Sequence, residues 1–283
     1  MNSAIPRILS IFLFCFFCSN RTSAQSLLQC CDSMCHFQMV SGTLFNTPQR
    51  INLLVLNKHA LSRYRMHIAG QSDVLLKTSR IAKEHSAIAA INGSFFDMNK
   101  GGSVSYFEID DSVHSRTRSP GLKWGVSDSI INGAMVLHKN RSFGIESARS
   151  EQFYEESGTE SFVMVSGPLL LKDSIPQKLP DMSFTHKRHP RTCVGITGET
   201  IILITIDGRS DDAFGMSLPE VQEFLLTLGC LDAINLDGGG STSMWIKEEG
   251  IVNIPSDKTG ERPVANALLI LKKCKIENEV GSQ

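Results

Sequence analysis

The stretch DAINLDGGGSTSMW, residues 232–245, runs from a short apolar segment into one carboxylate, three glycines and then the Ser241 and Thr242 hydroxyls. An apolar run that stops at such turn residues reads as a buried strand, here 233–236, ending at Asp237. Two other segments share this grammar. In AIAAINGSFFD, Asn92 leaves a strand at Gly93 and Asp97 follows two aromatic residues; in IILITIDGRSDD, Asp207-Gly208-Arg209 ends a β-branched run. Glycine lets the backbone approach another group closely, and consecutive glycines expose N–H donors that hold anions. Gly238, Gly239 and Gly240 are therefore expected to let a substrate lie against bare backbone, with Asp237 on one side and Ser241 and Thr242 on the other. The alternative is a glycine-rich hairpin in which Asp237 forms the turn. No Gly-Lys-Ser/Thr ends the loop, so it is not a nucleotide phosphate loop.

Working outward, strands are expected at 51–56, 87–91, 104–109, 130–137, 161–166, 192–197, 200–206, 233–236 and 264–271. Two segments read as helices. Ser217-Leu218-Pro219-Glu220 is a capping box, followed by Val221, Phe224, Leu225 and Leu228 on one face and Gly229 at the end. The other is 72–85, with Leu75, Leu76 and Ile81 facing inward. Many strands with few helices between them predict an α+β fold, a single domain over 25–283 on a mixed, mainly antiparallel β-sheet with a few packed helices. No linker or repeat interrupts it.

With 283 residues the chain can bury roughly 75% of its unfolded surface. Its 28 Lys and Arg oppose 29 Asp and Glu, so no global field points to nucleic acid or to an anionic membrane. Any preference for anions has to be local. Arg7, an apolar run at 8–17 and Thr22-Ser23-Ala24 read as an export signal over 1–24, cleaved after Ala24. The run is short of the roughly 20 residues that span a bilayer, so the expectation is an exported protein, periplasmic or extracellular, with no stable transmembrane anchor. Cleavage removes Cys15 and Cys18 and leaves Cys30, Cys31, Cys35, Cys193, Cys230 and Cys274. Cys193 and Cys230 read as small buried hydrophobes, and the group around Cys30 as disulfides or inert thiols before a metal cluster. Asn92-Gly93-Ser94 and Asn140-Arg141-Ser142 match the glycosylation sequon.

The segment THKRHPRTCVGIT carries His186, Lys187, Arg188, His189 and Arg191, donors suited to a phosphate. Lys187 and Arg188 read first as a solvated loop, whereas Arg191 borders the strand and is expected to project from it into a pocket. Arg209 is a second clamp candidate or an ion-pair partner of Asp211 or Asp212. Taken in order, AINGSFFD, PRTCVGI, ITIDGRS, GMSLPEVQEFLLTLGCLDAINLDGGGSTSMW and RPVANALLI resemble the phosphodiester glycosidase family over 87–271. The resemblance implies hydrolysis of a sugar that is α-linked through its anomeric carbon to a phosphodiester, with N-acetylglucosamine as one candidate sugar. It implies functional roles for Asn92, Asp97, Arg191, Asp207, Arg209, Asp237, Gly238 to Ser241, and Asn266. The loop at 99–103 departs from the family pattern and leaves the sugar open.

Breaking an anomeric C–O bond ordinarily takes two carboxyl groups. A phosphomonoester, with a second pKa of about 6, departs without full protonation. What remains is to stabilise phosphate charge, expected of Arg191 and the loop amides, and to direct water or a carboxylate at the anomeric carbon. Asp237 leads for that role, with Asp207, Asp97 and Glu108 as alternatives. Asn92 and Asn266 are expected to orient sugar hydroxyls; the alternative is a strand-end amide that satisfies buried backbone. Phe95 and Phe96 stack on the sugar or join the core. This chemistry requires no cofactor, while a divalent cation on the carboxylates stays open. The partner is thus a small-molecule or glycan substrate with a sugar–phosphate linkage. Two rivals remain: a phosphodiesterase that cleaves P–O, and a non-catalytic glycan or cell-wall binding module.

Overall fold

The computed structural model describes residues 27–32, 34–70, 74–118 and 129–273. The export signal, Cys15, Cys18, Cys274 and the first positions of the 72–85 helix lie outside the described residues. In the strand Thr200–Ile206, Ile201 and Leu203 face one buried layer, and Ile202, Ile204 and Ile206 face another. Neither face meets water, which is why the segment is an unbroken apolar run. It pairs with Thr47–Asn57 on one side and Arg191–Ile196 on the other, and the latter continues to Asp232–Asn235 and Leu169–Lys172. These strands form the middle of an eight-stranded sheet.

A second, five-stranded sheet runs in the order Gly250–Ile251, Met244–Ile246, Ala89–Asn92, Asn266–Lys272, Tyr64–Gly70. A third has Glu160–Ser166 between Gly133–His138 and Phe107–Ile109. Every pairing between described strands is antiparallel. The fold is α+β and mainly β. Leu54, Val194 and Leu203 of the first sheet, Ile68, Ile91 and Leu268 of the second, and Met135 and Phe162 of the third close one shared core.

The helix Leu218–Thr227 covers the back of the first sheet, packing Leu218, Val221, Phe224 and Leu225 on Ile51, Leu53, Ile202 and Ile204. Its capping box forms: the Ser217 hydroxyl accepts from the Glu220 amide at 3.4 Å, and the Glu220 carboxylate accepts from the Ser217 amide at 2.8 Å. Gly229 then turns the chain at φ +74. The other helix is shorter than expected, Thr78–Glu84, because Leu76–Lys77 pairs with Pro263–Val264 as a strand. The expected strand 264–271 likewise divides, since Pro263–Val264 and Asn266–Lys272 belong to different sheets. Burial pushes the Cys193 and Cys230 thiols up to about 12, so both stay protonated and behave as small hydrophobes. No helix among the described residues is long and apolar enough to cross a membrane.

Candidate active site

The first and second sheets meet at a seam that Asn92 holds. Its Oδ1 accepts from Thr192 Oγ1 at 2.7 Å and from the Ser243 amide at 3.1 Å, while its Nδ2 donates to the Asp237 carbonyl at 2.6 Å. Asn266 is engaged in the same way, accepting from the Ser94 amide at 2.9 Å and donating to Ser94 Oγ at 2.9 Å. Both amides are buried, and the oxygen and nitrogen of each have protein partners. They brace the seam, which is the alternative role of strand-end amides that satisfy buried groups. Burial also keeps the Asn92 sequon out of reach in the folded protein.

Each of the three glycines answers a different contact. A Cβ on Gly238 would stand 2.7 Å from the Pro190 carbonyl oxygen, to which the Gly239 amide donates at 2.9 Å. Gly239 holds φ +62, and a Cβ there would stand 2.9 Å from Arg209 Nη2. One on Gly240 would collide with Arg262 Nη2 and Asp257 Oδ1. Bare backbone thus admits two guanidiniums. Arg262 is held in a fork by Asp257 at 2.7 and 3.0 Å. Arg209 reaches Ser256 Oγ at 3.5 Å and forms no ion pair with Asp211 or Asp212. Gly208 packs on Pro190 as well, so the Asp207 and Asp237 loops wrap one proline.

Two carboxyl groups stand on these loops. Asp207 is buried, and desolvation pushes it up to about 6 against the Ile254 amide at 3.1 Å and Arg50 at 3.4 Å. Its Oδ1 has no hydrogen-bond partner among the described residues. Asp237 Oδ1 accepts from the Gly238 amide at 2.9 Å. Burial pushes this carboxyl up to about 6 as well, opposed by the Ser241 hydroxyl, that amide and the Arg262 charge. Beside them the Thr242 and Ser243 hydroxyls are buried without a partner among the described residues. Each such orphan costs roughly 1–3 kcal/mol, and their concentration here marks a place built to meet a ligand's polar groups or water.

The other expected site residues are engaged elsewhere. Asp97 Oδ1 accepts from the Asn99 and Lys100 amides at 2.9 and 3.1 Å, and Oδ2 pairs with Arg118 at 2.6 Å. The Lys100 and Asn99 amides and Arg118 hold it below the usual carboxylate range; it shapes its own turn. Glu108 accepts from the Tyr106 hydroxyl, and Tyr106 stacks on Tyr154 of the helix Glu151–Ser157, which ties Glu108 to the third sheet's layer. Arg191 does not open into a pocket. Strand alternation puts it on the face of Cys193, so its guanidinium is buried and donates to the carbonyls of Met216, Phe184 and Lys187 at 2.8 to 2.9 Å. Desolvation lowers it to about 10. Arg191 thereby anchors the loop that carries Pro190. The basic cluster disperses further: His186 meets Asp181 at 2.8 Å, and Arg188, half-buried rather than solvated, pairs with Glu220. Phe96 joins the core, and Phe95 packs edge-on to Phe184 at 6.1 Å. Sequence reasoning missed Arg50, Asp257 and Arg262; only the place of Arg262 in the block RPVANALLI marked it. Among the described residues no three His, Cys, Asp or Glu side chains are grouped to hold an ion.

Against known proteins, the phosphodiester glycosidase family model matches residues 85–271, and the chain belongs to that family. The SPbeta prophage-derived uncharacterized protein YomE of Bacillus subtilis (strain 168) is 30% identical over 195 residues, 67% of this chain and 29% of that protein. The N-acetylglucosamine-1-phosphodiester alpha-N-acetylglucosaminidase of Bos taurus is 24% identical over 173 residues, 61% of this chain and 28% of that protein. The chain thus spans under a third of these relatives' length. The zebrafish N-acetylglucosamine-1-phosphodiester alpha-N-acetylglucosaminidase catalytic domain, auto-inhibited by its pro-peptide, superposes with a TM-score of 0.68 at 19% identity, over 89% of both chains. A hypothetical protein from Synechocystis gives 0.68 at 14% identity, over 89% of this chain and 64% of that one. At such identities these two structures establish the fold.

Proposed function

We propose that the protein is an exported hydrolase that cleaves the glycosidic C–O bond of an α-linked sugar-1-phosphodiester, releasing free sugar and a phosphomonoester. One observation carries the reading: two carboxyls pushed up to about 6, Asp207 buried and Asp237 half-buried, stand on loops that meet at Pro190, beside a glycine turn flanked by Arg209 and Arg262. Asp237, ionised at neutral pH yet more basic than an ordinary aspartate, directs water at the anomeric carbon or attacks it. The bond electrons leave with the phosphate oxygen, whose charge Arg209 and Arg262 receive; the Gly238 and Gly239 amides, which donate to Asp237 and to the Pro190 carbonyl, hold the turn instead. No cofactor enters these steps. N-acetylglucosamine is the first sugar to try, because the bovine relative's name specifies it.

The test is hydrolysis of a panel of α-sugar-1-phosphodiesters in ¹⁸O-labelled water, with and without chelator, followed by mass spectrometry of both products. Label in the free sugar is expected in both arms. Label in the phosphate would establish P–O cleavage instead, loss of turnover with the chelator would add a cation, and silence across the panel would favour a glycan-binding module. Arg262→Gln is expected to lower kcat/KM by about 10²-fold, the scale of one lost charge-stabilising donor. Asp257→Asn, which only loosens Arg262, is expected to cost about tenfold in the same steady-state assay.

A further inference from the structure

The strands Asn266–Lys272 and Tyr64–Gly70 run from the seam to a cavity roughly 20 Å away, at about 3.3 Å per residue. It is an open space of about 550 Å³ along the Tyr64–Gly70 edge of the second sheet, beside the third. Arg65, Lys139, Arg141, Lys272 and Lys273 line it against one carboxylate, Asp110, in a chain whose net charge is only −1. The concentration of positive charge is therefore local. Lys139 is compensated by Asp111 at 2.6 Å, whereas Arg65, Arg141 and Lys272 ion-pair with no carboxylate among the described residues. Beneath these exposed cations Leu137, Phe162 and Leu271 are buried, so the lining that a ligand meets is mostly polar.

We propose that this cavity is a second ligand site, separate from the seam, that binds a phosphate- or sulfate-bearing saccharide. Guanidinium and ammonium groups recognise such oxyanions, the polar lining suits sugar hydroxyls, and the volume lies within the ordinary range for small-ligand pockets. His67 faces the same space, and burial with the neighbouring Arg65 and His85 holds it neutral at pH 7, pushed down to about 4. Its ring then serves a ligand hydroxyl as a hydrogen-bond partner without adding charge. The inference rests on this cavity alone and stands whether or not the seam cleaves phosphodiesters.

Isothermal titration of the purified protein with glucose 6-phosphate, glucose and phosphatidylglycerol vesicles tests it. Saturable binding of glucose 6-phosphate is expected, no binding of glucose, and persistence of the signal when Arg209 and Arg262 are both changed to Gln. The double variants R65E/K272E and R65Q/K272Q are expected to weaken that binding about tenfold or more, with melting temperature and phosphodiester hydrolysis unchanged. Loss of the signal in the Arg209 and Arg262 variant would place the ion at the seam and overturn the proposal. So would full binding in R65E/K272E, or binding of the vesicles in place of the sugar phosphate.

Discussion

Asp237→Asn is expected to lower kcat by about 10³-fold, within the range assigned to a positioned acid or base, while the protein stays folded. Asparagine has nearly the same volume, and its Oδ1 can keep the 2.9 Å bond from the Gly238 amide. The more telling readout is stability against pH. The wild-type carboxyl is pushed up to about 6 by burial, against an ordinary value of about 3.9. Between those two pH values the folded protein holds a proton that the unfolded chain has released, so stability falls as pH rises through the window. The substituted amide carries no charge and escapes that loss. The variant's melting temperature should therefore match or exceed wild type at pH 7.5, with the difference shrinking towards pH 4.5, and wild-type kcat should climb through an apparent pKa of about 6. Activity within tenfold of wild type, or a melting temperature several degrees lower at pH 7.5, would make Asp237 the turn former of a glycine-rich hairpin.

The sequence showed where the chain turns and not what the turns touch. Asp207-Gly208 and Asp237-Gly238 were legible because strand ends and glycine conformations are set by neighbouring residues. Facing was half legible. Alternation along the strand Arg191–Ile196 contains the information that Arg191 shares a side with Cys193, but which side meets the seam depends on the phase fixed by Thr192, whose partner Asn92 is 100 residues away. Asn92 illustrates the limit. An amide that orients sugar and one that braces backbone are the same residue type, and only the Asp237 carbonyl, 145 residues distant, distinguishes them. Arg262 and Asp257 escaped notice because what matters about them is contact with Gly240, and no local pattern encodes that contact. Among strands, Cys35–Leu44 was missed because its second half is exposed and mixed in character, which confines the alternation to Cys35, His36, Phe37 and Gln38.

Gly93→Ala is expected to be the most destabilising single methyl that can be added to the seam. The obstacle is not backbone conformation, since Gly93 is absent from the positive-φ glycines. It is occupied space: a Cβ would collide with Asn266 Oδ1 and stand 3.1 Å from the Asn266 carbonyl oxygen. Asn266 has no free rotation with which to yield, because its amide is tied to Ser94 twice at 2.9 Å and is buried. The backbone of Gly93 is equally committed, its amide donating to the Asn266 carbonyl at 2.9 Å and its carbonyl accepting from the Asp237 amide at 3.1 Å. Overpacking by one methyl costs about 1–3 kcal/mol, and orphaning one of these buried groups about 1–3 more. Scanning calorimetry should show a melting temperature lower by about 10 °C, at roughly 2–4 °C per kcal/mol for a chain of this size, with kcat reduced because Asp237 is displaced. Gly144→Ala is the control, since nothing lies within 4 Å of its added Cβ. It should be neutral or slightly stabilising. Pairing Gly93→Ala with Asn266→Ala removes the collision, so the double variant should be less destabilised than the sum of the two single changes. Additive losses would mean that the crowding at Gly93 has another source.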